Sequence, residues 1–350
     1  MDSFEIFTLL DNIASAINEL IEYGAGTILV PGSVPLGCMG SYLALFQSSD
    51  KEKHDPVTGC LTWANEFGEY HNELHQKELD RIPKLHPHVH IIYADYYNTA
   101  MRFYTSPNKF GFTETLKSCS GVGGPYGFNS SLRCGDPPLR TCCDDPSSHV
   151  SWDGVHYTEA AYRLLSKAIL EQLFTIPNIN NLCLPFTLPA VSFLFVITID
   201  TSDHVNGCFT SIFSFGDSFT DNGNLVHISL SEYRELPHCA FPPQGRAYFG
   251  HPTGRCSDGR LVIDFLAEGL GLPLLPPYFG GENGTLQNFP NGVNLAVSGV
   301  TALDFSFFEE RGVHNHFTNF SLRDEEWLFK DALPSLCPSF SGYRLFCTYQ

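Results

Sequence analysis

Four short runs of β-branched, aromatic and apolar residues confine this chain to one architecture. They are "TILV" at residues 27–30, "VHIIYAD" at 89–95, "TSIFSF" at 210–215 and "GVNLAVSG" at 292–299. Each is too short for a helix and stops at a Pro, Asp or Gly, as a buried strand does. Helical stretches lie between them. Ile13, Ile17, Leu20 and Ile21 fall on one helical face that Gly24 ends. A second stretch surrounds Phe67, Tyr70, His71 and Leu74, and a third opens at Thr158, whose hydroxyl suits a cap, and turns Leu164, Leu165, Ala168 and Ile169 inward. "LVIDFLAEGLGL" and "LRDEEWLFKDAL" continue the alternation in the second half. Strands that alternate with helices predict an α/β fold, a parallel sheet with helices on both faces. At 350 residues the chain holds one large or two smaller domains of that kind.

Charge narrows the partners. Thirty-eight acidic residues stand against twenty basic ones, a formal charge of −18. Nucleic acid is therefore not an expected partner, because phosphate backbones are held by clustered Lys and Arg. A neutral or cationic small molecule fits the balance better. The twelve cysteines include no C-x-x-C pair, so disulfides in an oxidising compartment explain them better than zinc or redox motifs. Asn129, Asn283 and Asn319 open N-x-S/T sequons, candidate glycosylation sites in a secreted chain. Residues 1–23 are acidic and amphipathic and do not read as a signal peptide. The most apolar run, "LPFTLPAVSFLFVITI" at 184–199, is too short and proline-broken to span a membrane. It reads either as a signal-like segment in mid-chain or as a buried strand or linker, and no stable membrane partner is expected. Nothing in the sequence sets the oligomeric state.

Two loops have the residues for nucleophilic chemistry. Gly216-Asp217-Ser218 follows the "TSIFSF" strand, where a sharp turn exposes the serine and a following helix would aim its first amides at a developing oxyanion. In "SWDGVHYT", Asp153 precedes His156 by three residues, a spacing that lets the carboxylate hold one ring nitrogen while the other faces a serine. Either string alone is as easily an ordinary turn. No H-E-x-x-H motif occurs, so no metal is expected.

Together, "FSFGDSFTDNGN", "GVNLAVSGVTALDFSFFEERG", "VPGSVPLGC" and "SWDGVHYTEAAY" resemble the plant GDSL esterase/lipase family of SGNH hydrolases, over most of residues 1–175 and 208–340. The resemblance implies a three-layer, flavodoxin-like fold with a five-stranded parallel sheet. It implies hydrolysis of a small-molecule carboxylic ester without cofactor, and secretion. Ser218 would be the nucleophile, His156 the general base and then acid, and Asp153 its orienting partner. The backbone N–H groups of Gly299 and Ser218 would form the oxyanion hole.

The chain departs from that family in order. The serine block should come first and the Asp-His block last; here they are inverted. Residues 1–182 read as the C-terminal half of one hydrolase domain and 208–350 as the N-terminal half of another, joined by the apolar segment 183–207. A fusion of two incomplete copies and a circular permutation both produce this order. The family's G-x-N-D block, whose asparagine gives the third oxyanion bond, has no match, so no third donor is assigned. The strand that carries it would be central, between the serine strand and residues 27–30, and is expected to be missing. The terminal "YRLFCTY", rich in β-formers, is a candidate to fill that slot, the alternative being a frayed tail. An active serine esterase is the leading reading, and a catalytically impaired remnant is the alternative.

Overall fold

The computed structural model describes residues 3–121, 123–136, 142–171, 173–177, 196–197, 209–232, 234–280, 289–313 and 318–336. Among the described residues six strands form one sheet: β1 (Thr27–Pro31), β2 (His90–Ala94), β3 (Thr175–Ile176), β4 (Val196–Ile197), β5 (Ile212–Ser214) and β6 (Gly292–Asn294), in the order β3-β2-β1-β4-β5-β6. β1 and β2 pair in parallel from Thr27↔His90 to Pro31↔Ala94, and β5 and β6 pair in parallel from Ile212↔Gly292 to Ser214↔Asn294.

The helices among the described residues are α1 (Ser3–Glu22), α2 (Gly40–Leu45), α3 (Thr62–Leu79), α4 (Ile82–Leu85), α5 (Tyr96–Thr105), α6 (Glu159–Leu170), α7 (Asn224–Ser231), α8 (Val262–Gly269), α9 (Phe305–Glu309) and α10 (Leu322–Leu336). α1 packs on α3 and α10, while α6 packs on α5 and α8. Ile17 and Leu20 of α1, Leu165 and Ile169 of α6, Ile28 of β1 and Phe329 of α10 belong to one continuous core. Both halves of the chain therefore build a single hydrophobic interior.

Two expectations about the sheet change. It is mixed rather than all parallel, because β4 runs antiparallel to both β1 and β5, and β3 antiparallel to β2. The central slot expected to be missing is occupied by Val196 and Ile197, the end of the apolar run, through Ile28↔Val196 and Val196↔Phe213. The "YRLFCTY" segment lies outside the described residues. Among those residues no helix is long and apolar enough to cross a membrane.

The second helical stretch turns a different face inward than its large apolar residues suggest. Tyr70 is exposed, and α3 instead buries Ala64, Asn65, Gly68, Asn72, His75 and Leu79. Asn72 and Asn65 take up loop amides, those of Ser33 at 2.7 Å and Gly37 at 2.9 Å, so the polar face serves the chain beyond β1.

Candidate active site

β5 ends at Ser214, and Gly216, with φ 127°, turns the chain in a conformation that side chains rarely adopt. Thr220 and Asp221 then donate backbone N–H groups to the Asp217 carbonyl at 3.0 and 2.9 Å, closing a tight turn with Ser218 at its head. The helix that follows the serine turn begins at Asn224. Asp221 is the reason. Its Oδ1 accepts the N–H groups of Gly223 and Asn224 at 2.8 and 2.6 Å, and its Oδ2 that of Leu225 at 3.2 Å, so it caps α7 from outside.

The "SWDGVHYT" loop is held as firmly. Trp152 donates its backbone N–H to the His156 carbonyl at 2.8 Å, and Gly154 takes φ 95° with the Phe128 ring too close for a side chain. Thr158 caps α6 by accepting the Ala161 N–H, as its position predicts. Asp153 Oδ1 accepts the backbone N–H groups of Val155 and His156 at 2.9 and 2.8 Å, leaving Oδ2 for the ring.

These two loops, 62 residues apart and in inverted order, meet. His156 Nδ1 is 2.7 Å from Asp153 Oδ2, and His156 Nε2 is 2.7 Å from Ser218 Oγ. His156 and Asp153 are buried and Ser218 is half-buried. Burial alone would pull the His156 pKa down, but the Asp153 carboxylate and its hydrogen bond outweigh it and hold the imidazole above its ordinary value. Burial likewise opposes the Asp153 charge, and His156, through its charge and its ring and backbone hydrogen bonds, still keeps that carboxyl below its ordinary value. Phe219 packs 5.5 Å from the His156 ring and edge-on to Tyr157 and Tyr162, fixing the imidazole from its open side.

The placement comes from a polar seam between the two halves. The Glu159 N–H donates to Asp258 Oδ1 at 2.7 Å, Arg260 pairs with Glu159 at 2.7 Å, and Trp152 Nε1 donates to Gln244 Oε1 at 2.7 Å. All three contacts flank His156 in sequence.

Gly299, with φ 89°, ends the segment after β6. That segment continues alongside the serine turn: Leu295 N–H donates to the Ser214 carbonyl at 2.7 Å and Val297 N–H to that of Gly216 at 3.0 Å. Residues that were not singled out from the sequence lock it there. Asp221 Oδ2 also accepts both the N–H and the hydroxyl of Ser298 at 2.8 Å. Asn224 donates to the Asn294 and Ala296 carbonyls at 2.8 and 2.9 Å, and Asn294 to that of Thr220 at 2.6 Å. From α10, the fully buried Glu325 accepts the N–H of Gly216 at 2.7 Å and of Val297 at 3.1 Å. Asp221 and Asn224 lie inside the quoted serine motif. Glu325 was marked by its place in the Leu322, Phe329, Ala332 stripe, where a carboxylate interrupts an apolar face.

A cavity of about 360 Å³ opens beside the serine turn, bounded by Gly216, Asp217, Phe219 and Thr220 and by the chain after β1 from Pro31 to Val34. Among the described residues no asparagine lines it. Among the described residues one group of metal-donor atoms lies close together, Cys119, Cys143 and His149, but the two sulfurs are joined as a disulfide, which leaves one imidazole. A second disulfide joins Cys38 to Cys60. Asn129 and Asn319 are exposed; Asn283 lies outside the described residues.

The sequence model of the GDSL-like lipase/acylhydrolase family matches residues 6–169 and 212–328. GDSL esterase/lipase At1g28610 of Arabidopsis thaliana is 52% identical over 177 residues, 50% of this chain and 46% of its own length. GDSL esterase/lipase At2g27360, also of Arabidopsis thaliana, is 50% identical over 177 residues, 50% of this chain and 45% of its own length. The chain thus spans about half the length of the curated relatives it matches.

Proposed function

Because the chain belongs to the GDSL-like lipase/acylhydrolase family, we propose that it hydrolyses carboxylic esters through an acyl-enzyme on Ser218. The observation that carries this reading is the continuous hydrogen-bonded line from Asp153 through His156 to Ser218 Oγ, both links at 2.7 Å. His156 Nε2 takes the serine proton as Oγ attacks the ester carbonyl, and Asp153 keeps Nδ1 protonated and offsets the imidazolium charge. The negative charge on the carbonyl oxygen is met by the N–H groups of Ser218 and Gly299. His156 then returns its proton to the departing alcohol, and water releases the acid by the same steps in reverse. The substrate is a small-molecule ester.

No third oxyanion donor is assigned, and one missing donor costs about a hundred- to a thousandfold in turnover. Acylation is therefore the step to measure. A fluorophosphonate probe applied to the purified, folded chain should label it, and Ser218→Ala should abolish the label. A folded chain that stays unlabelled refutes the proposal and leaves a catalytically impaired remnant.

We read residues 1–182 and 208–350 as the two halves of one hydrolase domain in permuted order, with 183–207 as the join. The shared core and the seam at Glu159 support that reading. Two disulfides and the exposed sequons at Asn129 and Asn319 support an oxidising, extracellular setting with glycans at those positions.

A further inference from the structure

Two thiols that the proposed mechanism leaves unused lie against each other. Cys239, in the single helical turn His238–Ala240, is 0% exposed, and Cys256 is 1% exposed. Both are free thiols in this structure. The Cys256 thiol hydrogen-bonds the Cys239 sulfur, and Cys256 Sγ also lies 4.0 Å from Nε2 of the adjacent His238. Sulfurs that already touch inside one core can join with little movement. The other free thiols have different neighbours. Cys134 meets the Ser120 hydroxyl and, at 3.5 Å, Gln244 Nε2, while Cys142 accepts from Arg246 Nη1 at 2.8 Å.

The loop between Cys239 and Cys256 forms part of the seam between the two halves. Gly245 and Ala247 donate N–H groups to the Ser257 and Asp258 carbonyls at 2.9 and 2.6 Å, which folds the loop back on the chain just past Cys256. Gln244 of that loop holds Trp152, next to Asp153, at 2.7 Å. Ser257 Oγ donates to the Tyr157 carbonyl at 3.3 Å, and Asp258 accepts the Glu159 N–H at 2.7 Å, both just past His156.

We infer that Cys239 and Cys256 form a third disulfide, which fastens the second half's side of the seam that carries the His156 loop. As the chain folds, the two thiols give up two protons and two electrons to a small-molecule disulfide, which leaves as two thiols. That exchange needs a thiolate and access to it. Contact with Cys239, together with burial, holds the Cys256 thiol well above its ordinary pKa. Exchange in the folded chain is therefore blocked, so the bond forms before the core closes and is then shielded from reductants. The inference goes beyond ester hydrolysis and does not depend on it.

The test folds the full chain in oxidised and reduced glutathione, isolates the folded fraction and unfolds it without reductant in N-ethylmaleimide. Trypsin, cutting after Arg246 and Arg255, then places the two cysteines on different peptides. Mass spectrometry should find those peptides joined, free of maleimide at both cysteines, and separable by reduction. Maleimide on both residues, or either one joined to another cysteine, overturns the inference. Fastening is read from urea midpoints of the wild type and of the double variant Cys239→Ala/Cys256→Ala, each oxidised and fully reduced. Taking the effect of oxidation within each protein cancels the packing lost to alanine and the two disulfides already present. Oxidation should raise the wild-type midpoint by about 0.5–1 M more than the variant's; equal effects refute the fastening. No readout uses Ser218, so an inactive chain with joined peptides upholds the disulfide and refutes only the esterase.

Discussion

Asp221→Asn should unfasten the serine turn from the segment that carries Gly299. The Asp221 carboxylate is buried and accepts five hydrogen bonds, from the backbone of Gly223, Asn224, Leu225 and Ser298 and from the Ser298 hydroxyl. An asparagine keeps the shape but turns one acceptor oxygen into a donor. If the amide replaces Oδ1, it faces the N–H groups of Gly223 and Asn224; if it replaces Oδ2, it faces those of Leu225 and Ser298, while the Ser298 hydroxyl rotates to accept. Two backbone donors lose their partner in either orientation, at about 1–3 kcal/mol each. Burial pushes the Asp221 carboxyl above its ordinary pKa despite those bonds, so removing the charge returns part of the cost. The expected net loss is about 2–4 kcal/mol. Urea unfolding followed by far-ultraviolet circular dichroism measures it, with fluorophosphonate labelling rate as a second readout because the turn and the Gly299 segment separate together. A loss under about 1 kcal/mol would refute the reasoning, since it would mean the carboxylate's donors find other partners.

Asp153→Asn should slow ester turnover by about ten-thousandfold while the chain stays folded, because the ring loses the acceptor that fixes its tautomer; a loss under tenfold would remove Asp153 from the proposed mechanism. For the wild type, kcat/KM should rise with pH as His156 loses its proton, with a midpoint above 6.5 because Asp153 raises the imidazole pKa; a midpoint at or below 6.5 contradicts that pairing. Burial raises the Glu325 pKa well above 4.5, so the folded state holds that proton longer than the unfolded state. The stability it contributes is complete below pH 4.5 and falls as pH rises through the folded value, and Glu325→Gln should flatten that fall in urea midpoints measured across the pH range.

Strands β1, β2, β5 and β6 and the helices α1, α3, α6, α8 and α10 were legible because each has a local signature: β-branched runs stopped by Gly, Asp or Pro, and apolar residues at helical spacing such as Ile17, Leu20 and Ile21. The two loops now in hydrogen-bond contact were also legible, as short strings with reactive side chains. Their meeting followed only from the family resemblance, because packing between α6 and α8, and not any local pattern, brings Ser218 Oγ and His156 Nε2 together. The inward polar face of α3 was hidden for a related reason. His75 and Asn72 lie on α3 among larger apolar neighbours, and only the buried face reveals that Tyr70 points to solvent while His75 points inward. The apolar run at 184–199 admitted two readings, and pairing of Val196 with Ile28 and Phe213 selects the strand for its end. Hydrophobicity alone does not carry strand direction, so the antiparallel entry of β4 was beyond reach of the sequence.

Inverted order matters only if the covalent join does work that the packed interface does not. The two halves share one core, and the His156 loop is anchored to the second half by Glu159 with Asp258 and Arg260, and by Trp152 with Gln244. None of these contacts depends on whether residue 182 is connected to residue 208. The join raises the effective concentration of one half for the other and contributes no atom to the proposed triad. A protease site inserted within residues 201–207 tests this on the intact folded chain, because cutting there leaves β4 attached to the first half. If the interface suffices, the two fragments co-elute after cleavage and Ser218 still accepts the fluorophosphonate at micromolar protein. Fragments that separate, with loss of labelling, would show that the seam is too weak alone and that the linker holds the serine and the histidine together.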